Sequence, residues 1–187
     1  MPAHRDIAVI VGSLRGESFT RKIALAAIEQ APAHLQPRFV EIGALALYNQ
    51  DLDTDTPPAA WTTFRDEIRK ADAVLFATPE YNRSVPGVLK NAIDVGSRPP
   101  GKSAFQKKPA AIISVAPRNI SGFGANHHLR QSLVFLDMPT LQQPEAYIGH
   151  VADLLDDHGK LKNEDTWAFL AKFMAAFADW IERTAQA

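Results

Sequence analysis

The chain has 187 residues, 46% hydrophobic and 22% charged, with a formal net charge of -1; this length and composition suit one domain, residues 1–187, with a real core. The near-neutral charge gives no reason to expect a nucleic acid or an anionic membrane surface as partner, and no run of about 18 apolar residues offers a membrane span. With no cysteine, disulfides, thiolate nucleophiles, cysteine-bound zinc and iron–sulfur clusters are excluded, so any redox work needs a bound organic cofactor.

Met1 to Asp6 run straight into a strand-like segment. No charged start followed by an apolar core is seen there, so a cytoplasmic location is expected. Ile7 to Val11 is a compact β-branched run ending at Gly12-Ser13 and reads as a buried strand. From about Ser18 to Gln30 the pattern turns helical, with Ile23, Ala27 and Ile28 on one face. Arg38 to Ile42 reads as a second strand, and residues 43–56 as a polar, irregular connection.

Pro57-Pro58 opens a helix on which Trp61, Phe64 and Ile68 share a face. Ala73 to Ala77 is the third strand; Ser84 and Pro86 are read as the cap and opening of the following helix, which runs to about Val95. A loop rich in proline, glycine and lysine covers residues 98–108, and Ala110 to Ala116 forms the fourth strand. A helix from about Ala125 to Leu136 precedes a short strand within Thr140 to Ile148. Trp167, Leu170, Met174, Phe177 and Ile181 then mark a final helix.

Strands alternating with helices imply a parallel sheet covered on both faces. Five strands in this length suit the doubly wound, flavodoxin-like α/β order, with a ligand at the carboxyl ends of the strands near the topological switch point. The loops after the first, third and fourth strands therefore carry the candidate chemistry.

The first loop, Gly12 to Thr20, leads into a helix, whose outward N–H groups and dipole favour an anion. Ser13, Ser18 and Thr20 add hydroxyl donors, and Arg15 offers charge-assisted bonds to phosphate oxygens. Alternatively, Ser18 merely caps the helix and Arg15 is solvated. There is no P-loop lysine pattern and no three-glycine dinucleotide fingerprint, so a single phosphate is expected. In the second loop, Pro79-Glu80-Tyr81-Asn82, proline stiffens a carboxylate, a ring and an amide at the end of a buried strand. Such a turn can wall a flat heteroaromatic ring, or can simply cap the next helix at Ser84.

These motifs resemble the NADPH-dependent FMN reductase family, particularly its chromate and quinone reductase branch. The likeness rests on Gly12-Ser13-Leu14-Arg15 with Ser18, on Pro79 to Asp94, on His128 to Gln131 running into Val134 to Asp137, and on Pro144-Glu145, within residues 7–149. It implies non-covalent FMN, NAD(P)H as co-substrate and a homodimer or homotetramer with the flavin near a subunit interface. Ser13, Arg15, Ser18, Phe19 and Thr20 match the phosphate loop, Thr20 standing where members often have asparagine. Pro79, Glu80, Tyr81 and Asn82 match the segment beside the isoalloxazine ring, and Val115 and Ala116 line it through their backbone.

The third loop departs from the family's small, glycine-rich stretch: Pro117 to Gly124 carries Arg118, Asn119 and Phe123. Where some relatives place an arginine and a tyrosine in a subunit contact, this chain has Gly124 and His127. Arg83 and Arg118 leave the same sheet edge and are candidate contacts for anionic substrates.

The expected activity is ping-pong electron transfer from NAD(P)H through FMN to quinones, flavins, azo compounds or chromate. A one-electron carrier of the flavodoxin type shares the fold, but such carriers are expected to be strongly acidic. A non-catalytic FMN-binding module is the other alternative. No metal site is expected: the adjacent His127 and His128 point about 100° apart on a helix, and Asp153, Asp156, Asp157 and His158 lack a continuing calcium-loop pattern.

Overall fold

In the computed structural model, which describes residues 3–184, five strands form one parallel sheet: β1 (Arg5–Val11), β2 (Leu35–Phe39), β3 (Ala73–Thr78), β4 (Ala110–Val115) and β5 (Ala146–Ile148). Their spatial order is β2-β1-β3-β4-β5, the flavodoxin-like doubly wound arrangement. The helices are α1 (Phe19–Glu29), α2 (Ala59–Lys70), α3 (Gly87–Gly96), α4 (Phe123–Phe135), α5 (Val151–Leu154) and α6 (Glu164–Thr184).

Alternation along β1 divides the core. Ile7, Val9 and Val11 pack toward α1 and α6, whereas Ala8 and Ile10 pack toward α2, α3 and α4. The expected helical faces are inside: Trp61, Phe64 and Ile68 are buried on α2, as are Leu170, Met174, Phe177 and Ile181 on α6.

Two local expectations shift, and one short helix was not foreseen. The second strand runs three residues earlier than Arg38 to Ile42, because β2 is an edge strand and accommodates Pro37 opposite Ile7. Val40 and Ile42 are buried beyond its end, in the cluster that holds α2 and α3. Ser84 does not cap α3, whose N-cap position is Pro86. The four-residue α5 follows β5 through His150 at φ 48, a turn the apolar pattern does not signal.

The connection over residues 43–56 is firmly held. A 3-10 turn spans Gln50–Leu52. The Asn91 side chain accepts from Tyr48 N at 2.8 Å and donates to the carbonyls of Leu45 and Ala46 at 3.2 and 3.1 Å. Arg65 donates two 2.8 Å bonds to the Asp53 carboxylate, in a pair whose side chains are only 6% and 3% exposed.

Candidate active site

Carboxyl ends of adjacent parallel strands open onto one edge, and the connections leaving the neighbouring strands β1 and β3 there run to opposite sides, to β2 and to β4. A cavity of about 240 Å³ sits at that edge. The first loop lines it with Ser13, Arg15, Ser18, Phe19 and Thr20; the second with Pro79, Glu80 and Tyr81; the third with Val115, Ala116 and Pro117. Val151 at the start of α5 completes the wall. A recess of about 360 Å³ adjoins it, sharing Ser13, Arg15 and Tyr81 and extending to Pro86 and Val88 at the start of α3.

Ten of the thirteen residues singled out from sequence thus meet in one cavity. Asn82, Arg83 and Arg118 are exposed and do not line it, although Arg83 and Arg118 lie next to loops that do. Pro117 and Val151 were not singled out. Pro117 could have been inferred from its position beside Ala116, but the turn that brings in Val151 leaves no periodic signal.

The first loop holds its donors ready. Ser18 caps α1 by accepting from Arg21 N at 3.2 Å, and it also lines the cavity. Among the described residues, the Phe19 and Thr20 amides have no hydrogen-bond acceptor. The Arg15 guanidinium is exposed and makes no hydrogen bond or ion pair among them; only its backbone N–H approaches Ser13 Oγ, at 3.5 Å. Hydroxyls, helix-terminal amides and an uncommitted guanidinium suit a phosphate monoester.

The second loop is a tight hairpin. Tyr81 N donates to Ser84 O at 3.1 Å and Ser84 N to Tyr81 O at 3.0 Å. Asn82 and Arg83 have φ 51 and 65, the two positive values of a type I′ turn. The Tyr81 amide is therefore occupied, whereas the Glu80 and Asn82 amides have no partner among the described residues.

In the third loop, Ala116 N donates to Ile148 O at 2.9 Å and Ala116 O accepts from Val151 N at 3.4 Å. Val115 lies in the ladder opposite Ile148. These two residues offer wall surface, with Ala116's main-chain donor and acceptor already engaged.

Beside this edge, Phe123 and His127 approach to 4.1 Å between ring centroids. The Tyr147 hydroxyl donates to Glu145 Oε1 at 2.8 Å and lies 3.1 Å from His127 Nε2. Burial first, and the Glu145 carboxylate second, push the Tyr147 hydroxyl up to about 12. His128 turns elsewhere, its Nδ1 2.9 Å from Ser84 Oγ.

A sequence model of the NADPH-dependent FMN reductase family matches residues 5–153. The chain belongs to this family. A quinone reductase of Pseudomonas putida is 61% identical over 177 residues, covering 95% of each chain. A 2-hydroxy-1,4-benzoquinone reductase of a Burkholderia species is 46% identical, covering 94% of this chain and 95% of its own. Among solved structures, a flavoenzyme NAD(P)H:(acceptor) oxidoreductase of Paracoccus denitrificans superposes with a TM-score of 0.90 at 39% identity, over 96% of this chain and 98% of that one. FMN is accordingly the cofactor of this family member, NAD(P)H its electron donor, and the protein an oxidoreductase. No helix among the described residues is long and apolar enough to cross a membrane.

Proposed function

We propose that this family member is a cytoplasmic NAD(P)H-dependent quinone reductase, a single FMN-binding domain over residues 1–187. Free flavins, azo compounds and chromate are further acceptors in this reading. Bound FMN would supply the two-electron chemistry between the donor and the acceptor. The observation that carries the reading is the convergence of three separate loops on the one cavity at the carboxyl edge. The named activities of the Pseudomonas and Burkholderia relatives favour quinones among acceptors.

The residues divide the task. Arg15, the hydroxyls of Ser13, Ser18 and Thr20, and the α1 amides at Phe19 and Thr20 hold the phosphate. Pro79 to Tyr81 flank the ring edge, with Asn82 at the hairpin tip beside them, and the Glu80 amide, unpartnered among the described residues, offers a hydrogen bond there. Val115 and Ala116, with Pro117, form an apolar wall. Arg83 and Arg118, exposed beside the mouth, attract anionic substrates. No side chain in the cavity has to act as an acid or base, and no catalytic residue is assigned.

Donor and acceptor use the cavity in turn, so initial rates should give parallel double-reciprocal lines as the quinone is varied. Intersecting lines would require both substrates bound at once and would reject one shared site. Exposed Val134 and Phe135, at 76% and 80%, support assembly as a homodimer or homotetramer.

A further inference from the structure

We infer that Glu80 is a positioning residue, whose carboxylate latches the ring-edge hairpin to the start of α4 and is not a ligand of the flavin. This rests on the assignment of the cavity to FMN and refines the part Glu80 plays in it.

The N-terminus of α4 lacks a cap of its own. Its N-cap residue, Gly122, has φ 74 and no side chain to accept a hydrogen bond. A neighbouring loop supplies the acceptor: Glu80 Oε2 accepts from Ala125 N at 3.1 Å. A carboxylate also suits the positive end of the helix dipole. The other oxygen, Oε1, lies 3.4 Å from Arg83 Nη1, and the Glu80 side chain is only 11% exposed. Both oxygens are thus directed at protein groups.

A second contact joins the same pieces. A Cβ on Gly124 would stand 2.5 Å from the Arg83 carbonyl oxygen and 3.0 Å from Glu80 Oε2. Only glycine lets the hairpin tip press this closely on the helix. The third tie is the 2.9 Å approach of His128 Nδ1 to Ser84 Oγ. The hairpin needs such support, because Arg83 holds a left-handed conformation at φ 65 that a bulky residue adopts at a cost. Tyr81, which walls both the cavity and its adjoining recess, is carried on this latched turn.

The placement of Glu80 on a cap and Gly124 against the hairpin predicts that the two act together. Glu80→Ala should weaken FMN and riboflavin alike, roughly fivefold to thirtyfold, the range expected for one lost cap. Gly124→Ala should reproduce that loss, and the double variant should be no worse than the poorer single one. Glu80→Gln keeps an acceptor for the Ala125 amide and should restore most of the affinity. In the flavin-free chain, Glu80→Ala should speed hydrogen exchange at the Ala125 amide, and Glu80→Gln should slow it again. If Glu80→Ala does not fold, the glutamine and Gly124 variants still decide the matter.

Unchanged Ala125 protection in Glu80→Ala would overturn the latch. So would a loss of flavin affinity in Glu80→Ala with none in Gly124→Ala, which would make the carboxylate a direct ligand. If the parent chain takes up no FMN, the cavity assignment fails, and exchange at Ala125 still tests the latch by itself.

Discussion

Replacing Arg15 by alanine removes a guanidinium with no hydrogen-bond or ion-pair partner among the described residues. The cost to the flavin-free fold should therefore stay within about 0.5 kcal/mol, as for exposed substitutions generally. A hydrogen bond to a charged group contributes about 1.5–3 kcal/mol. Because Arg15 is exposed, it must give up side-chain freedom when it engages a ligand, which favours the lower end of that range. About 1.5 kcal/mol corresponds to roughly a tenfold weaker FMN complex. Ser18→Ala is a poorer probe, because the same hydroxyl also caps α1. The assay is titration of the flavin-free protein with FMN and, in parallel, with riboflavin, which lacks the phosphate. FMN affinity should fall while riboflavin affinity stays level, and the gap should narrow as salt rises. Equal losses for both flavins, or no loss for FMN, would refute the phosphate assignment.

Arg65→Met leaves the buried Asp53 carboxylate without its partner, and should destabilise the chain by about 3–5 kcal/mol in urea unfolding at pH 7. The Arg65 guanidinium holds the Asp53 carboxyl below the usual carboxylate range; the stability this contributes is present above the unfolded value, about 3.9, and is lost as pH falls through the folded one. The deficit of Arg65→Met should accordingly shrink toward acid pH, and a pH-independent deficit would show that the ion pair does not carry it. Arg118→Ala should raise KM for chromate or NADPH more than for a neutral quinone, with an effect that fades as ionic strength rises; equal effects on neutral and anionic substrates would leave Arg118 a surface residue.

The sheet and the edge that carries the cavity were legible because each buried strand is a short β-branched or alanine-rich run followed by a helical spacing. Val9 and Ile10 on β1, and Ile112 and Ile113 on β4, are buried as that pattern requires. Once the strands were placed, the rule for open parallel sheets brought the three loops together without contact information. The edge strand was the least legible: its Leu35-Gln36-Pro37-Arg38-Phe39 has a proline at its centre and no β-branched residue, and its pairing is set by β1. Side-chain commitments were hidden for a different reason. That Glu80 reaches Ala125, or that Ser84 meets His128 and leaves Pro86 to open α3, depends on contacts 45 and 44 residues apart. Local spacing carries no record of such distances. Composition likewise marked residues 43–56 as irregular but could not reveal that Asn91 and the buried Arg65–Asp53 pair hold them.

The most direct test of the central claim is an anaerobic absorption experiment on the FMN-loaded protein, with NAD(P)H added first and a quinone afterwards. The proposed function predicts that NAD(P)H bleaches the flavin band with no quinone present, and that one equivalent of quinone then restores it. A flavin band unchanged by NAD(P)H, or bleached and then indifferent to every quinone tried, would contradict it.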